Sequence, residues 1–368
     1  MANQIPLYET RTLLEAVKRM MPATTFLRDT FFNQVQTFVT QSVDVDFQKE
    51  KRRVAPFVAR GSASNGFTMD RQGFTTRNYI PPLIAPQRKL TVEDINTRSM
   101  GENVYSQRTP EQRQAERIAD DLAFFERAIT RREEIMCRDI LTTGKCTIKG
   151  YVDDDLKNCV EDEINYNFQQ FVTLSGANLW SEKTSHPYED LKAWRMQVLK
   201  NSGAAPNIAI MSANVVEKFI LHPEISGILN RNIVLGTLQP TTDGYQSKLG
   251  FGISVPLAQY DGQVTFVGLL PGLGLEIYQY DEWYDDENGK TQQMIPDNLV
   301  ILAKKNMGKR LYGAVTQMEM DGAFHTYEGA RIPKVWANIN ADTRMIRTSA
   351  RPLPAPDVIE DWLVATVL

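Results

Sequence analysis

The chain has 368 residues, 42% of them hydrophobic and 23% charged, with a net charge of −4. That is ample material for a large core in one to three domains, and it excludes a protein that binds polyanions through its overall charge. The first residues lack the apolar core of a signal peptide and no run approaches a membrane span, so folding in the cytosol and no membrane partner are expected. Cys137, Cys146 and Cys159 are an odd set without metal-ligand spacing, which points to reduced thiols.

Residues 9–21 have the spacing of a short amphipathic helix, stopped by Pro22. Thr24–Phe32 follows, with Phe26, Leu27, Phe31 and Phe32 clustered before any domain core has begun. Two readings stand: these rings pack on their own subunit, or they belong to an N-terminal arm that docks on a neighbour. Thr40–Phe47 alternates Val43, Val45 and Phe47 with polar residues, as a half-buried strand does.

Lys49–Thr97 is basic and proline-punctuated, with a Gly- and Ser-rich tip at Gly61–Gly66. From Gln48 to Lys89 there are nine Lys or Arg against two acids. Strand-like runs flank the tip at Arg53–Val58 and Phe67–Tyr79, and Asn65–Gly66 is a hairpin turn signal. The pattern predicts a long β-hairpin projecting from the body, stabilised by lying on another surface, because an isolated two-stranded hairpin is marginal in water. Candidate contacts on it are Arg52, Arg53, Phe57, Arg60, Phe67, Arg71 and Phe74. Nucleic-acid binding by the same basic, aromatic arm is an alternative. An acidic partner surface exists in the same chain: Gly150–Asp190 holds nine acids against two Lys.

The organising element is Thr109–Gly144. Thr109 is a suitable N-cap, Pro110 suits the first turn, Gln112 completes a capping box and Gly144 stops the helix. Ala115, Ile118, Leu122, Phe125, Ile129, Met136 and Ile140 form one apolar stripe, interrupted by Arg132. Charged residues, among them Asp121, Glu126, Glu133 and Glu134, are expected on the other faces. The helix would be about 50 Å long. A coiled-coil arm fits as well as a spine lying across a sheet, and the strand-rich remainder favours the spine.

Beyond it, Thr147–Tyr151 reads as a strand, Asp153–Asp155 as a solvated loop, and Asn178–Tyr188 as a polar connector. Tyr188–Lys200 is a helix with Leu191, Trp194, Val198 and Leu199 inward, ended by Gly203. Strand Asn207–Met211, helix Ala213–Leu221 and hairpins at Asp261–Gly262 and Asn288–Gly289 indicate an α/β unit over roughly Pro187–Lys304. The chain then turns strand-rich. Pro352, Pro354 and Pro356 exclude a central strand there, and Val358–Leu368 is expected in a sheet beside the long helix.

An enzyme reading finds little support. His186 and His222 each precede a proline and His325 lies in a polar turn, so no Ser–His–Asp or Cys–His motif emerges. Gly272 and Gly274 lack the third glycine of a dinucleotide loop, and Asp285–Asp286 sits at a hairpin tip. No catalytic, cofactor or metal residue is assigned.

Short matches spread along the chain resemble the lambda-type tailed-phage major capsid proteins, the major capsid protein E family. They run from Thr25-Phe26-Leu27-Arg28 and Phe31-Phe32, through Lys51-Arg52, Ala55-Pro56-Phe57-Val58 and Tyr79-Ile80-Pro81-Pro82, to Gly144-Lys145-Cys146 and Trp180-Ser181. They continue with Ile295-Pro296-Asp297-Asn298, Arg310-Leu311-Tyr312-Gly313, Tyr327 and Pro333-Lys334 with Trp336. The resemblance implies an α+β fold of the Hong Kong 97 type. Its parts would be an N-terminal arm (1–47), an extended loop (48–97), and a peripheral domain (98–186) with the spine helix 109–144. An axial domain (187–304) and a return to the peripheral domain (305–368) would follow. The arm contacts would include Phe26, Phe31 and Phe32. The implied function is a shell subunit, not an enzyme, which assembles with itself as hexamers and pentamers around double-stranded DNA. Portal and scaffolding proteins, and a decoration protein, are the implied partners; the virion capsid, and the host cytoplasm during assembly, the implied locations. Lys49 and Lys51 lie away from the hairpin tip, so covalent joining of subunits is not expected. An encapsulin-like protein compartment is the alternative, and an oligomeric cytoplasmic enzyme the alternative of another class.

Overall fold

The computed structural model describes residues 25–47, 54–55, 57, 75–97, 109–151, 158–226, 255–257, 260, 263–270, 272–319 and 321–368. The expected helix at 9–21, the loop tip at 61–66 and the aspartates 153–155 lie outside them.

The long helix runs Pro110–Thr143, with the boundaries its capping chemistry dictates. Thr109 is extended and exchanges reciprocal side-chain hydrogen bonds with Gln112, of 3.3 Å and 3.1 Å. Gly144 ends the helix at φ 70°, and a Cβ there would lie 2.2 Å from that of Phe168. Glycine is therefore required twice over, by backbone conformation and by space.

The first half of the helix lies across a three-stranded antiparallel sheet. Thr343–Ser349 is its central strand, flanked by Ile332–Asn338 and Gln87–Leu90. Ile118, Leu122 and Phe125 close there on Leu90, Val335 and Ile346. The second half enters the main core through Met136, Ile140 and Leu141. The helix is thus a spine over sheet, not a coiled-coil arm.

A seven-stranded sheet forms the other half of the body. Its order is Phe171–Thr173, Trp362–Thr366, Leu299–Ala303, Ile208–Met211, Leu275–Tyr280, Val264–Leu270, Val255–Pro256. Helices Pro187–Ser202 and Ala213–Leu221 cover one face, with Leu191, Trp194, Val198, Val215 and Phe219 buried. The main core covers the other. Ile208, Ile210, Ile301, Ala303, Trp362 and Val364 point into the main core, while Ala209, Met211, Val300, Leu302, Leu363 and Ala365 point to the helices. Burial on both faces explains why these strands read as unbroken apolar runs.

This sheet draws Phe171–Thr173 and Trp362–Thr366 from outside 187–304. The final strand pairs antiparallel with Leu299–Ala303, and it does reach the long helix, because the Trp362 indole N–H donates to the Leu141 carbonyl at 3.1 Å. Pro352–Pro356 forms an edge strand on Gly308–Tyr312, as three prolines at alternate positions require. The Tyr166 hydroxyl donates to the Pro354 carbonyl at 2.8 Å and so covers that edge. The connector read as polar hides Trp180, which stacks on Trp194 at 5.8 Å and donates to Asp190 at 3.0 Å.

Candidate assembly surfaces

The N-terminal aromatics are placed by helix Phe26–Phe31 and strand Gln34–Thr37, which pairs parallel with Gly308–Tyr312. Phe26, Phe31 and Phe32 are 3%, 0% and 0% exposed in the chain's own core. The Phe26 ring sits 5.4–5.6 Å from Tyr260, Tyr278 and Tyr280. Phe32 lies against Gly308, where a Cβ would approach its ring to 2.7 Å. Of the two readings made from the sequence, packing on the own subunit holds for these three side chains. Burial in their own chain already removes the apolar area of these rings from water.

Four acids expected on the outer faces of the helix, Asp121, Glu126, Glu133 and Glu134, are buried instead. Glu134 accepts the backbone N–H groups of Leu27 and Arg28 at 2.7 Å and 2.9 Å and the Tyr280 hydroxyl at 2.9 Å. With no cation in contact among the described residues, burial pushes its carboxyl up to about 7, against those hydrogen bonds. One turn-face away, burial acts on Glu133 too, but the charge of Arg331, then that of Arg28, outweighs it and holds the carboxyl below its ordinary value. Arg331 bridges Glu133 at 2.7 Å and Glu126 at 2.8 Å, while Tyr312 donates to Glu133 at 2.9 Å. This clamp joins the N-terminal helix, the long helix and the segment before the C-terminal strands.

The root of the extended loop is an antiparallel pair, Val43–Phe47 with Thr75–Tyr79, in the register Val43↔Tyr79 to Phe47↔Thr75. Val43 is buried, and Tyr79 packs 5.4 Å from Tyr166. Asn78 donates to Asp44 at 2.6 Å. The root is therefore fixed to the body, and residues 48–74 connect its two strands. Within that connection Val54 is 90% and Phe57 105% exposed. Arg52, Arg53, Arg60, Phe67, Arg71 and Phe74 lie outside the described residues. The acidic strand Cys159–Asn165 is exposed and pairs with Lys145–Tyr151, where Lys145 meets Glu163 at 3.0 Å and Lys149 meets Glu161 at 3.5 Å.

One Ser–His contact exists that the sequence did not suggest. His222 Nε2 lies 3.2 Å from both the Ser185 hydroxyl and the Glu182 carbonyl, and its Nδ1 accepts from the Glu224 N–H. An Nδ1 that accepts leaves the proton on Nε2, so the ring donates towards Glu182 and does not face the serine as a base. The pair is a structural bridge. Gly272 and Gly274 lie in a turn with φ of 81° and 62°. Among the described residues no group of three or more His, Cys, Asp or Glu is placed to hold a metal ion, and no helix is long and apolar enough to cross a membrane.

A spine helix laid over a small sheet, together with a two-sided seven-stranded sheet, gives an α+β fold of the Hong Kong 97 type. The model of the phage major capsid protein E family matches residues 9–367, and the chain belongs to that family. Two curated relatives are each 24% identical over 358 residues, covering 95% of this chain and 97% of theirs. They are the P21 prophage-derived major head protein of Escherichia coli O6:H1 strain CFT073 and the major capsid protein of Enterobacteria phage P21. The crystal structure of a protein described as a prophage capsid protein of E. coli CFT073 superimposes with a TM-score of 0.67 at 19% identity, covering 98% of this chain and 99% of that one. The chain is thus a structural protein of a phage capsid shell, located in the virion capsid.

Proposed function

We propose that the subunit assembles as hexamers and pentamers into a closed icosahedral shell around double-stranded DNA, in the host cytoplasm, without catalytic chemistry of its own. A portal at one vertex and a scaffolding protein take part in the assembly, and contact with DNA is non-specific. Within the shell, the basic segment 48–74 lies on an adjacent subunit. The observation that carries this is the exposure of Phe57, 105% in the single chain, beside Val54 at 90%. Covering a phenylalanine contributes about 1.5–3 kcal/mol, whereas an exposed ion pair adds about 0–1 kcal/mol. Packing therefore sets the strength of the contact and the loop's positive charge sets its register. Contacts of this size, repeated around a closed lattice, give a durable particle.

The test removes Ser62–Asn65, neutralises Arg60 and Arg71 and replaces Phe57 with Ser. The expected result is a folded subunit by circular dichroism that yields no normal capsids in electron microscopy. Normal capsids from that variant would overturn the proposal. In wild-type particles, DNA-filled shells with one portal vertex are expected, in contrast to the protein-filled shells of an encapsulin-like compartment.

A further inference from the structure

The small sheet under the long helix has a second face. Val335, Ile346 and Leu90 point to the helix, so alternate positions point away. The register places Trp336, Met345 and Lys89 in one outward row, and Lys334, Arg347 and Gln87 in the next. Every charge in these rows is positive. Lys334 Nζ lies 5.4 Å from the Trp336 ring centroid and Arg347 Cζ 5.6 Å from the same ring. Two cations therefore share one indole at close quarters. Desolvation, and then the charge of Arg347, lowers the Lys334 ammonium from its ordinary value; desolvation alone lowers Arg347. The buried Nε of Arg347 has no hydrogen-bond partner among the described residues. Lys334 donates to the Met318 carbonyl and feels Glu319, but no acid is paired with Arg347 among the described residues. At the end of the same hairpin Ile339 is 85% exposed.

We propose that this face is a contact between copies of the chain, in which carboxylates of the acidic strand Cys159–Asn165 of a second subunit seat on Lys334, Arg347 and Lys89 around Trp336. The proposal rests on the shell reading above. A half-buried guanidinium beside a second cation, with no acid paired to it among the described residues, is stabilised by a carboxylate that a folded partner brings to its open side. Tryptophan and arginine are the side chains that anchor protein interfaces, and an exposed isoleucine at the tip suits a protein surface better than a phosphate backbone. The complementary charge is present on every copy, since strand Cys159–Asn165 exposes Glu161, Asp162 and Glu163.

Shells are assembled from equal parts of ordinary and ¹⁵N-labelled wild-type subunits and treated with a zero-length carbodiimide coupler. The expected products are mixed-label peptides joining Lys334 or Lys89 to Glu161, Asp162 or Glu163. If both lysines are acetylated as fast in shells as in free subunits, or couple only within one chain, the proposal is overturned. In a second arm, Arg347→Glu is expected to keep the wild-type circular dichroism and melting temperature while raising the assembly threshold at least about tenfold, equivalent to about 1.4 kcal/mol. Assembly at the wild-type threshold overturns the proposal, and loss of DNA retention alone assigns the face to nucleic acid instead. Should the variant not fold, the coupling result decides. Wild-type subunits that never form particles would overturn the shell reading itself, an outcome distinct from unprotected lysines on intact shells.

Discussion

Glu134 accepts the backbone N–H of Leu27 at 2.7 Å, across 107 residues of sequence. A carboxylate in mid-helix thereby does for the short helix Phe26–Phe31 what a capping side chain does elsewhere, satisfying backbone donors that burial would otherwise orphan. It ties the first described segment to the spine.

Replacing Glu134 with Leu is expected to destabilise the free subunit by at least about 2 kcal/mol, because the N–H groups of Leu27 and Arg28 lose their acceptor inside the core. Urea unfolding of the purified subunit, followed by circular dichroism, measures it.

The same carboxyl gives a pH dependence with a definite sign. Its folded value, about 7, lies above the ordinary 4.5 of a glutamate. The folded state therefore holds a proton that the unfolded state has released, and stability falls as pH rises from about 4.5 to about 7. Each unit is about 1.4 kcal/mol, so the full fall amounts to about 3 kcal/mol. Glu133, held low by Arg331 and Arg28, contributes in the opposite sense: its stabilisation is present above the ordinary carboxylate value and is lost as pH falls. Unfolding free energies at pH 5, 6, 7 and 8 should decline for the wild type and flatten for Glu134→Gln.

Arg331→Met should be costly, about 3–5 kcal/mol, since it leaves Glu126 buried without its ion pair and Glu133 with Arg28 alone, at 3.3 Å. Adding Glu133→Gln should recover part of that loss. A double-mutant cycle by chemical denaturation would show a coupling above about 1 kcal/mol; simple additivity would mean that the clamp does not act as a unit.

Gly144→Ala is expected to cost more than the ~1 kcal/mol of a left-handed alanine, because the new methyl also meets Phe168. The melting temperature of the variant, set against that of a Thr109→Ala variant at the opposite end, tests it; loss of the N-cap should cost only about 1 kcal/mol.

The ends of the long helix were legible because capping is local chemistry: Thr109, Pro110, Gln112 and Gly144 carry their message within a few residues. The edge character of Pro352–Pro356 was legible for the same reason, since a missing N–H is written in the residue type. The buried acids were not, because the partner that makes Glu133 tolerable in the core, Arg331, lies 198 residues away. A charged residue on a helix reads as solvated until its counterion is located. Nor could the sequence decide whether Phe26, Phe31 and Phe32 face inward or a neighbour, because apolar character is the same for both destinations. The outward basic face around Trp336 was hidden in three short strands whose register alone brings Lys89, Lys334 and Arg347 together.

The seven-stranded sheet that separates the two cores has a consequence for particle uniformity. A slip of one residue in Trp362–Thr366 would exchange Trp362 with Leu363 and send an indole among helices shaped for a leucine, while a void opened beside Phe168 and Leu141. Errors in this sheet are therefore penalised on both sides at once, and near-native variants of the subunit are rare. A capsid shell tiled from many copies of one chain depends on that intolerance, since a single misshapen tile would pass its mismatch to its neighbours.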